Sequence, residues 1–163
     1  MFETAELATI PYAAGRVVWQ AEALDTTAAV PMENKLSSVS HPVEWLLGEA
    51  LTNLYVGLSR YHRGEKLSAV RFIQGYAVDR IVELTALIEN EQPAQGDLFA
   101  PERRYEQRFP KASQALPQFI QGYDRTIESA QAILAFLDQH FNVNTAIKAQ
   151  ILALCKSSIG TQF

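Results

Sequence analysis

The chain has 163 residues, of which 48% are apolar and 20% charged, a length and composition typical of one soluble globular domain. Its 14 Lys and Arg against 18 Asp and Glu leave a net charge of −4. This balance argues against a dedicated nucleic-acid binder, which usually carries a basic excess. The single cysteine, Cys155, excludes an internal disulfide framework and is typical of a reducing cytosol. We therefore expect a cytoplasmic protein, without a membrane span or signal peptide.

The first forty residues differ in pattern from the remainder. Residues 16–20, Arg-Val-Val-Trp-Gln, are β-branched and aromatic, which predicts a strand. A strand needs a partner, and the sequence offers no convincing second one. We expect this segment either to be irregular or to pair with another chain or with a part of the protein outside this sequence. The predicted division is an N-terminal extension over 1–40 and a helical domain over 41–163.

The pattern becomes helical after residue 41. Apolar residues at steps of three and four predict a helix over 42–62 and a second over 65–91. Gly64 lies between them and suits a left-handed C-cap. Two long helices joined by so short a turn are expected to pack antiparallel.

Three further helices are expected. Pro101 suits the start of a short helix over 102–108. An unbroken apolar stripe through Gly122 predicts one helix over 117–140, and Asn144 can cap a last helix. The predicted fold is therefore all-α, an antiparallel, up-and-down bundle of four-helix type with a short strand-like N-terminal extension.

Common catalytic and cofactor motifs are missing from the sequence. It contains no CxxC, HExxH, Walker loop or GxGxxG, and no Asp-x-Asp or Asp-x-Glu platform for magnesium. His41 and His62 each precede a glutamate by three residues, but a proline or a turn intervenes. We therefore predict no metal site and no catalytic residue, and we expect Cys155 to be a small buried hydrophobe.

Three glycines, Gly48, Gly57 and Gly75, fall inside the first two predicted helices. Each costs about 1 kcal/mol relative to alanine, which suggests close approach of another backbone or a ligand. Folding the two helices together places a polar stripe of one beside a polar stripe of the other. The candidate substrate-binding residues of this shallow groove are Glu49, Asn53, Arg60, Arg71 and Asp79. The alternative is that both stripes are ordinary solvated faces.

The densest basic cluster lies in the short predicted helix, interleaved with Tyr105 and Phe109. Arginines beside aromatic rings can bind phosphate groups. The candidate phosphate or anion contacts are Arg103, Arg104 and Arg108. The alternative is a solvated helix or one that clamps the bundle, because neighbouring glutamates dilute the positive charge.

Four stretches of the helical part carry a family resemblance. They read Glu-Ala-Leu-Thr-Asn-Leu-Tyr at 49–55, Arg-Tyr-His-Arg-Gly-Glu-Lys-Leu-Ser-Ala at 60–69, Tyr-Ala-Val-Asp-Arg at 76–80 and Gly-Tyr-Asp-Arg at 122–125. Together they resemble the helical C-terminal domain of antibiotic-type nucleotidyltransferases, of which the kanamycin and lincosamide enzymes are members. The segment 11–19 is similar to the one that links the catalytic domain of such proteins to the bundle.

The resemblance implies that nucleotide binding and acceptor binding belong to different domains. In this family an N-terminal α/β domain, with a Gly-Ser and an Asp-x-Asp or Asp-x-Glu, holds magnesium and the nucleoside triphosphate, and the helical domain binds the acceptor. This sequence has neither pattern, so it would hold no cofactor and would partner a catalytic domain or subunit. The glutamate base of several members has no counterpart in Val-Gly-Leu-Ser-Arg at 56–60, and Glu49 is the nearest carboxylate on the polar stripe.

The implied function is a substrate-binding helical domain or subunit of a nucleotidyltransferase, inactive alone. Its expected partners are the catalytic half and a small-molecule acceptor, with no membrane and no direct nucleic-acid binding. The alternative is a protein-interaction or dimerisation bundle without catalytic activity, for example a homodimer. In that case Trp45, Leu46 and Tyr55, which lie off the main apolar stripe, would form an exposed interface.

Overall fold

The computed structural model describes residues 19, 21, 41–94, 96–97 and 100–157. This part of the chain is mostly helical and contains no strand, which confirms the prediction of a helical fold for the residues described. The predicted strand over 16–20 lies outside them except for Trp19, as does nearly all of the predicted N-terminal extension. No helix in the described part is long and apolar enough to cross a membrane.

The first helix, α1, spans Val43–His62, as the sequence predicted. Its buried face repeats at helical spacing through Leu46, Ala50, Leu51, Leu54, Gly57, Leu58 and Tyr61. The predicted left-handed cap is also confirmed, since Gly64 has a φ of 83°. The N–H of Glu65 donates to the carbonyl of Arg60 and that of Gly64 to Tyr61, both at 3.0 Å. These are the two hydrogen bonds of a Schellman motif, which ends the helix.

The second helix, α2, covers 66–87 and changes its winding along the way. It is α-helical over Lys66–Val70, π-helical over Arg71–Ala77, α-helical again over Val78–Leu84 and 3-10 over Thr85–Leu87. The predicted end at residue 91 is wrong by four residues. The carboxylate of Glu89, beyond the helix, accepts hydrogen bonds from the backbone N–H groups of Lys111 and Ala112 at 3.1 and 2.8 Å. The Glu89 side chain thereby caps the start of a later helical turn, while its backbone N–H still donates to the carbonyl of Thr85 at 3.0 Å.

The third helix, α3, is Tyr105–Arg108 and is shorter than the predicted 102–108. Arg104 has a φ of 56°, in the left-handed region. Because a non-glycine residue in that region interrupts a right-handed helix, residues 101–104 form turns instead of a first helical turn.

The predicted single helix over 117–140 is wrong, because the chain breaks at Gly122. Helix α4, Leu116–Phe119, follows a 3-10 turn over Ala112–Ala115. A second 3-10 turn, Tyr123–Arg125, leads into α5, Thr126–His140. The sixth helix, α6, spans Thr145–Lys156 and has the predicted cap, since the side chain of Asn144 accepts from two backbone N–H groups.

A buried glutamine explains the break at Gly122. Gly122 has a φ of 93°, which a glycine tolerates. Its N–H donates to Gln74 Oε1 at 3.0 Å, and Gln74 Nε2 donates to its carbonyl at 2.8 Å. The Gln74 amide therefore replaces the helical hydrogen bonds that this glycine gives up.

The helices share one main hydrophobic core. Helix α1 contacts α2, α5 and α6, and α5 contacts α4 and the π-helical part of α2. Cys155 is buried in this core, as predicted. Burial raises the pKa of its thiol to about 11, so the sulfur is protonated at neutral pH and packs as an apolar group.

The glycine predictions have different outcomes. A Cβ atom added at Gly57 would lie 2.6 Å from Cγ1 of Ile73 and 3.1 Å from Cβ of Phe72. The expected close approach is found there, but with side chains of α2 instead of another backbone. At Gly48 and Gly75 an added Cβ meets nothing within 4 Å, so no described backbone approaches them, and the approach of a ligand stays a prediction.

Replacing Gly57 with alanine should destabilise the protein, whereas replacing Gly48 in the same helix should stabilise it. Both substitutions gain the helix propensity of alanine, up to about 1 kcal/mol. Only Gly57→Ala overpacks the contact with Ile73, which costs about 1–3 kcal/mol. We expect Gly57→Ala to lower the free energy of unfolding by about 1 kcal/mol and Gly48→Ala to raise it. Urea unfolding measures both, and equal effects would contradict the close contact.

Replacing Gln74 with leucine should remove both hydrogen bonds to Gly122. We expect the free energy of unfolding to fall by about 1–2 kcal/mol, since neutral hydrogen bonds contribute about 1 kcal/mol each. Gln131 is exposed on α5, so Gln131→Leu is a matched control that should be close to neutral. An equal loss in the two variants would show that the amide does not hold the break in place.

Candidate functional site

Three of the five predicted substrate-binding residues share one shallow pocket. Glu49 and Asn53 come from α1, and Tyr76, Asp79 and Arg80 come from α2. The pocket has a volume of about 210 Å³. The sequence prediction placed Glu49, Asn53 and Asp79 on facing stripes, and the structure brings these three side chains together.

The contact between α1 and α2 positions this pocket. Gly57 of α1 lies against Ile73, which belongs to the π-helical segment of α2. Glu49 precedes Gly57 in α1, and Asp79 follows Ile73 in α2. A π-helical turn is wider than an α-helical one and is often found at functional sites. Here it contains Tyr76, so the pocket wall starts where the winding of α2 is irregular.

The charge of Arg80 is already compensated. Its Nη2 lies 2.8 Å from Oε1 of Glu83, and its guanidinium is 5.9 Å from the ring centre of Trp45. Among the described residues, no arginine or lysine forms an ion pair with Glu49 or Asp79. The pocket is therefore lined by the carboxylates of Glu49 and Asp79 and by one cation, Arg80, which forms an ion pair with Glu83.

The Asp79 carboxyl has a raised pKa, and burial is the main cause. Burial raises the pKa of its carboxyl above the ordinary value, Arg80 opposes the change, and Glu102 and Glu83 add to it. The side chain nonetheless remains accessible from solvent. A cation that entered the pocket would stabilise the ionised carboxylate, so the electrostatics favour a positively charged ligand group.

The two predicted arginines of the groove lie elsewhere. Arg60 Nη1 donates to Ser68 Oγ at 2.7 Å, and its guanidinium lies 4.4 Å from the ring centre of Phe72. Arg71 is exposed at the start of the π-helical segment. Neither lines the pocket, so the structure does not bring them to Glu49 and Asp79.

The predicted anion contacts are engaged with neighbouring groups. Arg103 Nη1 lies 2.7 Å from Oδ2 of Asp97. Arg108 pairs with Glu91 and also donates to the carbonyl of Pro101 at 2.9 Å. Arg104 is the residue with the left-handed backbone. The ion pairs reduce the charge that this cluster offers to an anion, and its role as an anion contact stays a prediction.

The predicted interface on α1 needs one correction. Leu46 is fully buried in the core, so it does not belong to an exposed patch. Trp45 and Tyr55 are 42% and 40% exposed. The Trp45 ring stacks on His41 with 4.1 Å between ring centres, which covers part of its surface.

Tyr76 and Arg80 line the pocket although the sequence analysis did not select them as site residues. Both belong to the stretch 76–80 that carries part of the family resemblance. Tyr76 and Arg80 are four residues apart, and residues at this spacing are neighbours on one face of a helix. This spacing, next to the selected Asp79, could have identified both.

The comparisons with known proteins give no relative. No protein-family model, curated protein or solved structure matches the chain. In the part of the chain that the structure describes, no three His, Cys, Asp or Glu side chains are grouped so that they could hold a metal ion.

Replacing Asp79 with asparagine should stabilise the fold slightly at pH 7 and not at about pH 3. A carboxyl whose pKa is raised by folding lowers stability as the pH rises through that pKa. Asparagine mimics the protonated form, so the gain should disappear where the carboxyl is protonated in both folded and unfolded chains. Because Asp79 is accessible, the gain should stay under about 1 kcal/mol. Thermal unfolding across this pH range measures it, and a gain that is constant with pH would contradict the assignment.

Proposed function

We propose that this chain is the substrate-binding helical domain or subunit of a nucleotidyltransferase, and that an amino group of the acceptor binds between Glu49 and Asp79. The observation that carries the proposal is the pair of carboxylates, Glu49 and Asp79, that share one pocket and form no ion pair among the described residues. The resemblance of 49–69 and 76–80 to antibiotic-type nucleotidyltransferases supports the same assignment.

The chemistry of the pocket suits an ammonium group. The carboxylates of Glu49 and Asp79 would accept charge-assisted hydrogen bonds, and the side-chain amide of Asn53 offers a further acceptor. The ring of Tyr76 can face a cation. Binding sites for whole small molecules usually have volumes of about 300–1,000 Å³, and this pocket has about 210 Å³. It therefore suits one amino-substituted part of a larger acceptor.

The rest of the acceptor would lie against a catalytic partner. That partner, in the same cytoplasmic compartment, would carry the magnesium and the nucleoside triphosphate. We propose that α1, α2, α5 and α6 form an antiparallel bundle of four-helix type, which their pairwise contacts support. Exposed apolar side chains at Leu67 and Tyr123 offer a surface for the partner, and the helical turns that contain these two residues touch each other.

Binding of an aminoglycoside tests the proposal. Kanamycin is a suitable probe because it carries several amino groups on a polar body. We expect the chain to bind it, and Glu49→Gln and Asp79→Asn each to raise the Kd about tenfold by removing a charged partner of the ammonium group. Isothermal titration calorimetry measures the constants. Glu44→Gln is the matched control, since Glu44 is an exposed glutamate of α1 outside the pocket.

Two results would contradict the proposal. Equal weakening by Glu44→Gln would indicate non-specific attraction to an acidic surface. Transfer of a nucleotide to kanamycin by the chain alone, with magnesium and ATP, would show that the catalytic machinery is not in a partner.

A further inference from the structure

A second, larger cavity lies away from the proposed acceptor pocket. Its volume is about 670 Å³, and its lining shares no residue with that pocket. It is bounded by the segment that follows α2, by the segment 110–115 and by the end of α5. This volume is within the range of sites that enclose a complete small molecule.

One wall of the cavity is apolar and includes an aromatic ring. Ile88, Ala115 and Phe136 contribute to it. The ring of Phe136 contacts two other rings, since its centre lies 5.2 Å from that of Phe119 and 4.6 Å from that of His140. A flat apolar body can pack against such a fixed ring.

Among the charged side chains that line the cavity, the acidic one has hydrogen-bond partners and the basic one has no ion pair. The single acidic residue of its lining is Glu89, whose two oxygens accept from the backbone N–H groups of Lys111 and Ala112. The ammonium group of Lys111 forms no ion pair within the described residues. His140 is exposed at the same cavity, where its ring offers an N–H donor. Lys111 is therefore the one cation of the lining, and no carboxylate of the described residues pairs with it; together with the His140 N–H it suits an anion.

We propose that this cavity binds a small aromatic carboxylate. The ring packs against Phe136, Ile88 and Ala115, and the carboxylate accepts hydrogen bonds from Lys111 Nζ and the His140 imidazole. The Glu89 carboxylate, held by two backbone N–H groups, excludes the anion from its own end of the cavity and so fixes the orientation of the ligand. This site is independent of the proposed nucleotidyltransferase role.

A pair of probes of matched shape tests the proposal on the full chain. 1-Naphthoate carries the carboxylate, and 1-naphthylmethanol has the same ring without the charge. We expect naphthoate to bind more tightly, and Lys111→Gln to raise its Kd about tenfold while leaving the Kd of the alcohol unchanged. Lys156→Gln is the control, because Lys156 is an exposed lysine that does not line the cavity. Calorimetry gives the constants.

Nuclear magnetic resonance locates the binding. With naphthoate, we expect the largest amide shifts at Asn90, Ala112 and His140. Equal affinity for the two probes, an unchanged Kd in Lys111→Gln, or shifts outside the cavity would each overturn the proposal. Lys111 is exposed, so the variant should fold, and its circular dichroism spectrum should match that of the wild type.

Discussion

The close approach of α1 and α2 at Gly57 is the contact on which the candidate site depends. A glycine allows the backbone of α1 to lie against the buried side chain of Ile73. Glu49 is eight residues before Gly57 and Asp79 is six after Ile73, so in the two antiparallel helices both lie on the same side of this contact. The two carboxylates therefore line one pocket because the helices meet at this point and in this register.

Asp79 carries a cost in stability at neutral pH. Burial of Asp79 disfavours its ionised form, and Glu83 and Glu102 add to the effect. Arg80 opposes this effect only in part, and its guanidinium also pairs with Glu83 at 2.8 Å. A protein that only needed stability would gain from a neutral side chain at position 79. In the proposed function, the ammonium group of the acceptor would offset this cost by stabilising the ionised carboxylate.

The features that the sequence predicted correctly are those that local interactions determine. Helix α1, the Gly64 cap and the Asn144 cap each depend on residues a few positions apart. The break at Gly122 was missed because it involves hydrogen bonds to Gln74, which is 48 residues away. Apolar periodicity continues across Gly122 and gives no sign of this contact.

The same distinction applies to the site residues. Glu49, Asn53 and Asp79 could be placed together because two helices joined by a short turn leave little choice of register. Arg60 could not be excluded from sequence, since its engagement with Ser68 and the ring of Phe72 depends on side-chain packing. The spacing of polar residues predicts which face of a helix they share. Contacts with neighbouring side chains, which the spacing does not predict, determine which of the charged residues can still bind a ligand.

The most direct test of the account is the location of a bound cation. Two-dimensional NMR of the labelled chain, titrated with the polyamine spermidine at constant ionic strength, would show which amides respond. The account predicts the largest shifts in α1 around Glu49 and Asn53 and in α2 around Tyr76 and Asp79. Shifts spread over the acidic surface, with none concentrated at this pocket, would contradict it.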